Sequence, residues 1–120
     1  MKPCIYVVED NAAIRDVIEF LLIEEEYEVV LSPSVQEFWV QMQKHIPDMI
    51  ILDVMLPDGN GLEICEKLKG SVKTHEIPVM MMSANNHLNK VKSGCVAEEF
   101  INKPFDLNDF ANRIEHYVAS

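Results

Sequence analysis

The sequence predicts an α/β fold: a doubly wound parallel sheet of five strands with helices on both faces. Three observations predict it. Five short runs rich in Val, Ile, Leu and Met alternate with amphipathic stretches from one end of the chain to the other. These runs are apolar at consecutive positions, which suits strands covered on both sides. The 120 residues supply one hydrophobic core and not two. Repeated β-then-α units with right-handed crossovers then make a single parallel sheet.

The elements follow in order. Cys4 to Val8 is the first strand. Ile14, Val17, Ile18, Leu21 and Leu22 repeat at helical spacing, giving a helix with one apolar face, started by Asn11 or Asp10 as a cap. Tyr27 to Leu31 is the second strand. Ser34 and Glu37 form a capping box that opens a helix carrying Val35, Phe38, Trp39 and Met42. Met49 to Leu52 is the third strand, bounded by Pro47 and by the turn Leu56-Pro57-Asp58-Gly59. Leu62, Cys65 and Leu68 mark a third helix that stops near Gly70. Ile77 to Met82 is the fourth strand. Ser83 to Gly94 holds a short polar helix at most. Phe100-Ile101 is the fifth strand, and Asp106 with Asp109 opens a last helix carrying Leu107, Phe110, Ile114, Tyr117 and Val118.

Charge excludes some roles. Lys and Arg total 10 against 20 Asp and Glu, a formal net charge of -10. Phosphate backbones and anionic membranes are met by basic patches, so direct nucleic-acid or membrane binding by this chain is not expected. No apolar run reaches the ~18 residues of a membrane span, and acids arrive at Glu9 and Asp10 too early for a secretory leader. The three cysteines, Cys4, Cys65 and Cys95, are odd in number and widely spaced, which reads as thiols in a reducing cytoplasm. The four histidines are scattered, without metal-ligand spacing.

In an open α/β sheet the site lies beyond the carboxyl ends of the strands. Here those ends carry Glu9 and Asp10, then Asp53, then Ser83, then Lys103 followed by Pro104. Each has a plainer reading alone: a cap pair, a turn residue, a hydroxyl in a turn, a solvated charge. Together they place three carboxylates, a hydroxyl and an ammonium on one edge. Clustered carboxylates repel, and a hard divalent cation relieves that through oxygen ligands. A cation beside an Asp, with Lys and Ser facing it, is a layout for phosphoryl transfer to the carboxylate.

Four segments then point to a family. Val7-Val8-Glu9-Asp10-Asn11, Ile50 to Gly61 (IILDVMLPDGNG), Met82-Ser83-Ala84 and Asn102-Lys103-Pro104-Phe105 resemble the receiver domain of bacterial two-component response regulators, over essentially the whole chain. The resemblance implies the flavodoxin-like strand order 2-1-3-4-5 and a single receiver domain over 1–120 with no effector domain. It implies Asp53 as phosphoacceptor, and Mg²⁺ (or Mn²⁺) held by Asp10, Asp53, the Met55 backbone carbonyl and, through water, Glu9. Ser83 and Lys103 would contact the phosphoryl group, and Phe100 would be the aromatic that moves inward as Ser83 turns. The Lys103-Pro104 bond would be cis. The donor would be a phosphohistidine on a sensor histidine kinase or histidine phosphotransfer protein, or a small phosphodonor. Phosphorylation would then bias a two-state output face, in a cytoplasmic switch rather than a turnover enzyme.

Some positions depart from the family pattern. Glu9 stands where Asp is commoner. Met55 and Asn85 occupy positions that tune water access to the acyl phosphate, and an apolar Met55 implies slow self-dephosphorylation. The stretch from Ser83 to Lys103 is short, with Val96 where Gly is common, so a short fourth helix is expected. Glu99 and Arg113 match a charge pair used for homodimers through the fourth helix, fifth strand and fifth helix; solvated charges or a pair within the chain are the alternative. Two other classes compete. A phosphorylation-independent interaction module would tend to lose the acid pocket. An Asp-nucleophile phosphatase would need D-x-D, and Met55 breaks it. No Gly-rich phosphate loop follows the first strand.

Overall fold

Alternate residues of the first strand, β1 (Cys4–Val8), enter two different cores. The structure, a computed structural model, describes residues 2–84 and 96–118. After β1 come α1 (Ala12–Glu24), β2 (Glu28–Ser32), α2 (Val35–Lys44), β3 (Met49–Asp53) and the two short strands β4 (Met55–Leu56) and β5 (Gly59–Asn60). Then follow α3 (Gly61–Lys69), β6 (Val79–Ala84), β7 (Glu99–Lys103) and α4 (Leu107–Val118). The long strands form one sheet in the order β2-β1-β3-β6-β7, every neighbouring pair parallel. Counting the long strands alone, that is the expected 2-1-3-4-5.

Helices cover both faces. Cys4, Tyr6 and Val8 pack with Phe38 and Met42 of α2 and Ile64 and Leu68 of α3. Ile5 and Val7 pack with Ile18 and Leu22 of α1 and Phe110 and Ile114 of α4. The period of two along a strand divides the side chains this way, and burial on both sides explains the unbroken apolar runs. Buried Tyr6 keeps its polar end satisfied through the His45 carbonyl at 2.6 Å, with the Gln41 carbonyl at 3.2 Å.

Caps follow the sequence closely. Asn11 caps α1, its side chain accepting from the Ile14 N–H at 3.0 Å. Ser34 caps α2 through the Glu37 N–H at 3.2 Å, Asn60 caps α3 through the Leu62 N–H at 2.7 Å, and Asp106 accepts from the Asp109 N–H at 2.9 Å.

Several expectations shift. The second strand runs Glu28–Ser32 rather than Tyr27–Leu31, because the Tyr27 amide is taken by the Leu22 carbonyl at the end of α1. The fourth sheet strand starts at Val79: Ile77 N–H closes a turn on Thr74, and Pro78 has no N–H to donate. The fifth extends over Glu99–Lys103, paired with Met80 to Ala84. The turn after Asp53 is a small antiparallel hairpin. Val17 is 47% exposed, at the edge of the α1 stripe rather than inside it.

The cysteine expectation fails in part. Cys4 is a buried free thiol, but Cys65 is disulfide-bonded; spacing along the chain does not report which sulfurs a fold brings together. The short fourth helix, Asn85 and the fourth-helix part of the dimer face lie outside the described residues. Glu99 and Arg113 are paired within the chain at 3.1 Å.

Candidate functional site

Parallel strands place their carboxyl ends on one edge, and a cleft of about 1020 Å³ opens there. Glu9 and Asp10 follow β1, Asp53 ends β3, Ser83 lies near the end of β6 and Lys103 ends β7. All five line the cleft, as does Met55. Phe100 stands apart, half-buried against the core under α2 and α3.

Oxygens of Glu9, Asp10 and Asp53 lie within 4.8 Å of one another. Glu9 is fully buried and Asp53 is 5% exposed, while Asp10 is exposed. The Lys103 ammonium donates to Glu9 Oε1 and, at 2.9 Å, to Asp53 Oδ2. Among the described residues, one ammonium faces three carboxylates. The excess appears at Glu9, whose carboxyl is pushed up to about 7 by burial, then by its contact with Asp53, with Lys103 opposing. For Lys103, burial favours the neutral amine, but the bonds to Glu9 and Asp53 outweigh it and raise the pKa.

Backbone geometry fixes these groups. A Cβ at Gly61 would stand 2.1 Å from the Asp53 carbonyl, so the chain passes Asp53 only where there is no side chain. The Gly61 N–H donates to the Val54 carbonyl at 2.9 Å, and Met55 N–H approaches Asp53 Oδ1 at 3.4 Å. Ser83 Oγ is buried, with a long 3.4 Å bond to the Ala84 carbonyl. The Lys103-Pro104 peptide is cis, as the resemblance implied.

The sequence reading missed three parts of the site. Arg15 donates to the Glu9 carbonyl at 2.8 Å, and the Asn11 N–H reaches Glu9 Oε2 at 3.3 Å. Apolar lining of the same cleft comes from Ile14 and Val17 of α1 and from Phe105 and Leu107. Val17 repeats at helical spacing with the apolar face of α1, yet lines the cleft.

The donor set fits a hard divalent cation: carboxylate oxygens, clustered, and short of positive charge. Chemically, the edge offers three carboxylates, an ammonium and a hydroxyl.

The family model of the response regulator receiver domain matches residues 5–115. The chain belongs to that family and is a receiver domain of two-component signalling. It is 33% identical to Histidine kinase P4 of Formosa agariphila over 99% of this chain and 9% of that protein. It is 33% identical to the phosphate regulon transcriptional regulatory protein PhoB of Escherichia coli over 96% of this chain and 51% of that one. The chain thus spans a small part of the first and about half of the second. Among solved structures, a putative response regulator from Chloroflexus aurantiacus superposes with a TM-score of 0.92 at 24% identity, over 100% of both chains. The receiver domain of a sensor histidine kinase from Pseudomonas aeruginosa, solved with a magnesium ion in its active site cleft, gives 0.87 at 22% identity, also over 100% of both. These two likenesses concern the fold. Among the described residues, no helix is long and apolar enough to cross a membrane.

Proposed function

We propose that Asp53 is the phosphoacceptor of this receiver. One observation carries the reading: Lys103 bridges Asp53 and Glu9 where three carboxylates converge. An Asp53 carboxylate oxygen attacks the phosphorus of a phosphohistidine; the O–P bond forms, the N–P bond breaks with its electron pair going to that nitrogen, and the imidazole, protonated at its other nitrogen, leaves neutral. Lys103 offsets negative charge on the phosphoryl oxygens, and Ser83 donates a hydrogen bond to one of them. Glu9, Asp10, Asp53 and the Met55 carbonyl are the groups that would hold Mg²⁺ (or Mn²⁺), which when bound neutralises the carboxylates and the incoming phosphate.

The donor is a sensor histidine kinase or a histidine phosphotransfer protein, docked over the apolar lining of the cleft. The output follows from Ser83 and Phe100, with homodimerisation through the fourth helix, the fifth strand (β7) and the fifth helix (α4) as one use of it. Residues 1–120 act as one cytoplasmic receiver domain that catalyses its own phosphorylation and dephosphorylation, without other turnover.

Incubation with Mg²⁺ and a small phosphodonor, read by intact mass, tests this. One added phosphoryl group, lost in Asp53→Asn and with chelator, is the expected result. No adduct with any donor would favour a phosphorylation-independent interaction module.

A further inference from the structure

The Asp58 carboxylate ties the hairpin after Asp53 to the start of α2. Asp58 stands at the hairpin's tip, between β4 and β5. Its Oδ1 accepts the Val35 N–H at 2.8 Å and its Oδ2 accepts the Gln36 N–H at 3.0 Å. These are first-turn donors with no partner inside the helix, at the end where the helix favours an anion. The two bonds hold the Asp58 carboxyl below its usual range. Beside it, the chain packs so tightly on α2 that a Cβ at Gly59 would come 2.9 Å from Val35 Cγ2.

The other end of the hairpin closes on the site. Met55 pairs with Asn60, and Met55 N lies 3.4 Å from Asp53 Oδ1. The residue that would offer its carbonyl to a metal is therefore the first residue of an element anchored elsewhere.

We propose that Asp58 is a positioning residue: its clamp on Val35 and Gln36 fixes the hairpin that carries Met55, and so sets where the Met55 backbone stands against Asp53. The clamp's role rests on the receiver-site reading above, in which the Met55 carbonyl and the carboxylates hold Mg²⁺.

Ser34 provides the control. It caps the same helix end through the Glu37 N–H, a bond that does not involve the hairpin. Mg²⁺ affinity of the whole chain is measured by calorimetry for the wild type, Asp58→Ala and Ser34→Ala. Phosphorylation by a small donor and amide exchange of the metal-free proteins are measured beside it. Asp58→Ala should weaken Mg²⁺ binding about tenfold, as loss of an outer support does at metal sites. It should also slow phosphorylation and speed exchange at the Gly61 amide. Ser34→Ala, at a comparable loss of helix stability, should leave all three near wild type. Equal effects from the two variants, or none from Asp58→Ala, overturn the clamp's role while leaving the site reading intact. Failure of the wild type to bind Mg²⁺ overturns the site reading and the clamp's role with it.

Discussion

The Lys103 ammonium lies 2.9 Å from Asp53 Oδ2 although the two residues are 50 positions apart. It also holds the fully buried Glu9, so the ammonium ties the end of an outer strand to the end of a central strand and to the residue after β1. Removing one partner of a buried charge pair leaves the other uncompensated. Lys103→Met should therefore destabilise the metal-free protein by about 3 kcal/mol. Added Mg²⁺ should recover part of that loss. Urea unfolding with and without the ion checks both; an unchanged midpoint in the metal-free variant contradicts the account.

Met55 stands at the rim of the cleft with 74% of its surface exposed. A thioether offers no donor and only a weak acceptor to a hydrolytic water. Met55→Asn should shorten the phosphoryl lifetime several-fold, by supplying groups that orient water. Decay of the phosphorylated species followed by mass gives the number, and an unchanged half-life sinks the idea.

The Asp58 clamp also makes a pH prediction. The backbone bonds to Val35 and Gln36 lower this carboxyl from its ordinary 3.8. A lowered folded-state value means stability that is present above 3.8 and is lost as pH falls through the lowered value. Asp58→Asn should be less stable than wild type at neutral pH, and the gap should close in acid. A gap that stays constant from neutral to strongly acid solution would speak against the charged clamp.

Cys4 is free, 3% exposed, and raised from 9.0 to about 11 by burial, then by Glu28 and Asp48. That rise alone cuts its thiolate about a hundredfold below pH 9, and the thiolate is the reactive form. Native protein should resist iodoacetamide at Cys4, and unfolded protein should label readily. Rapid labelling of the native chain at this position would contradict the placement of β1.

Much of this was legible in the residues. Strands buried on both faces announce themselves as unbroken apolar runs, and Asn11, Ser34 and Asp106 are caps by their chemistry. The order of the strands places Glu9, Asp10, Asp53, Ser83 and Lys103 on one edge. The rest depends on distances that sequence does not carry. Glu9 looked like a strand-end acid, and only packing shows it fully buried against Lys103. Asp58 reads as a turn residue, and its partners Val35 and Gln36 lie 23 and 22 positions away. The β2 boundary moved because the end of α1 takes the Tyr27 amide. Val17 fits the inner stripe by spacing and lines the cleft by geometry.

The central claim is that Asp53 carries the phosphoryl group as an acyl phosphate. The most direct measurement treats the phosphorylated protein with hydroxylamine and maps the modified residue by peptide mass spectrometry. The account predicts loss of the phosphoryl group and a hydroxamate at Asp53 alone. A phosphoryl group that survives hydroxylamine, or that maps to Ser83 or a histidine, would contradict it.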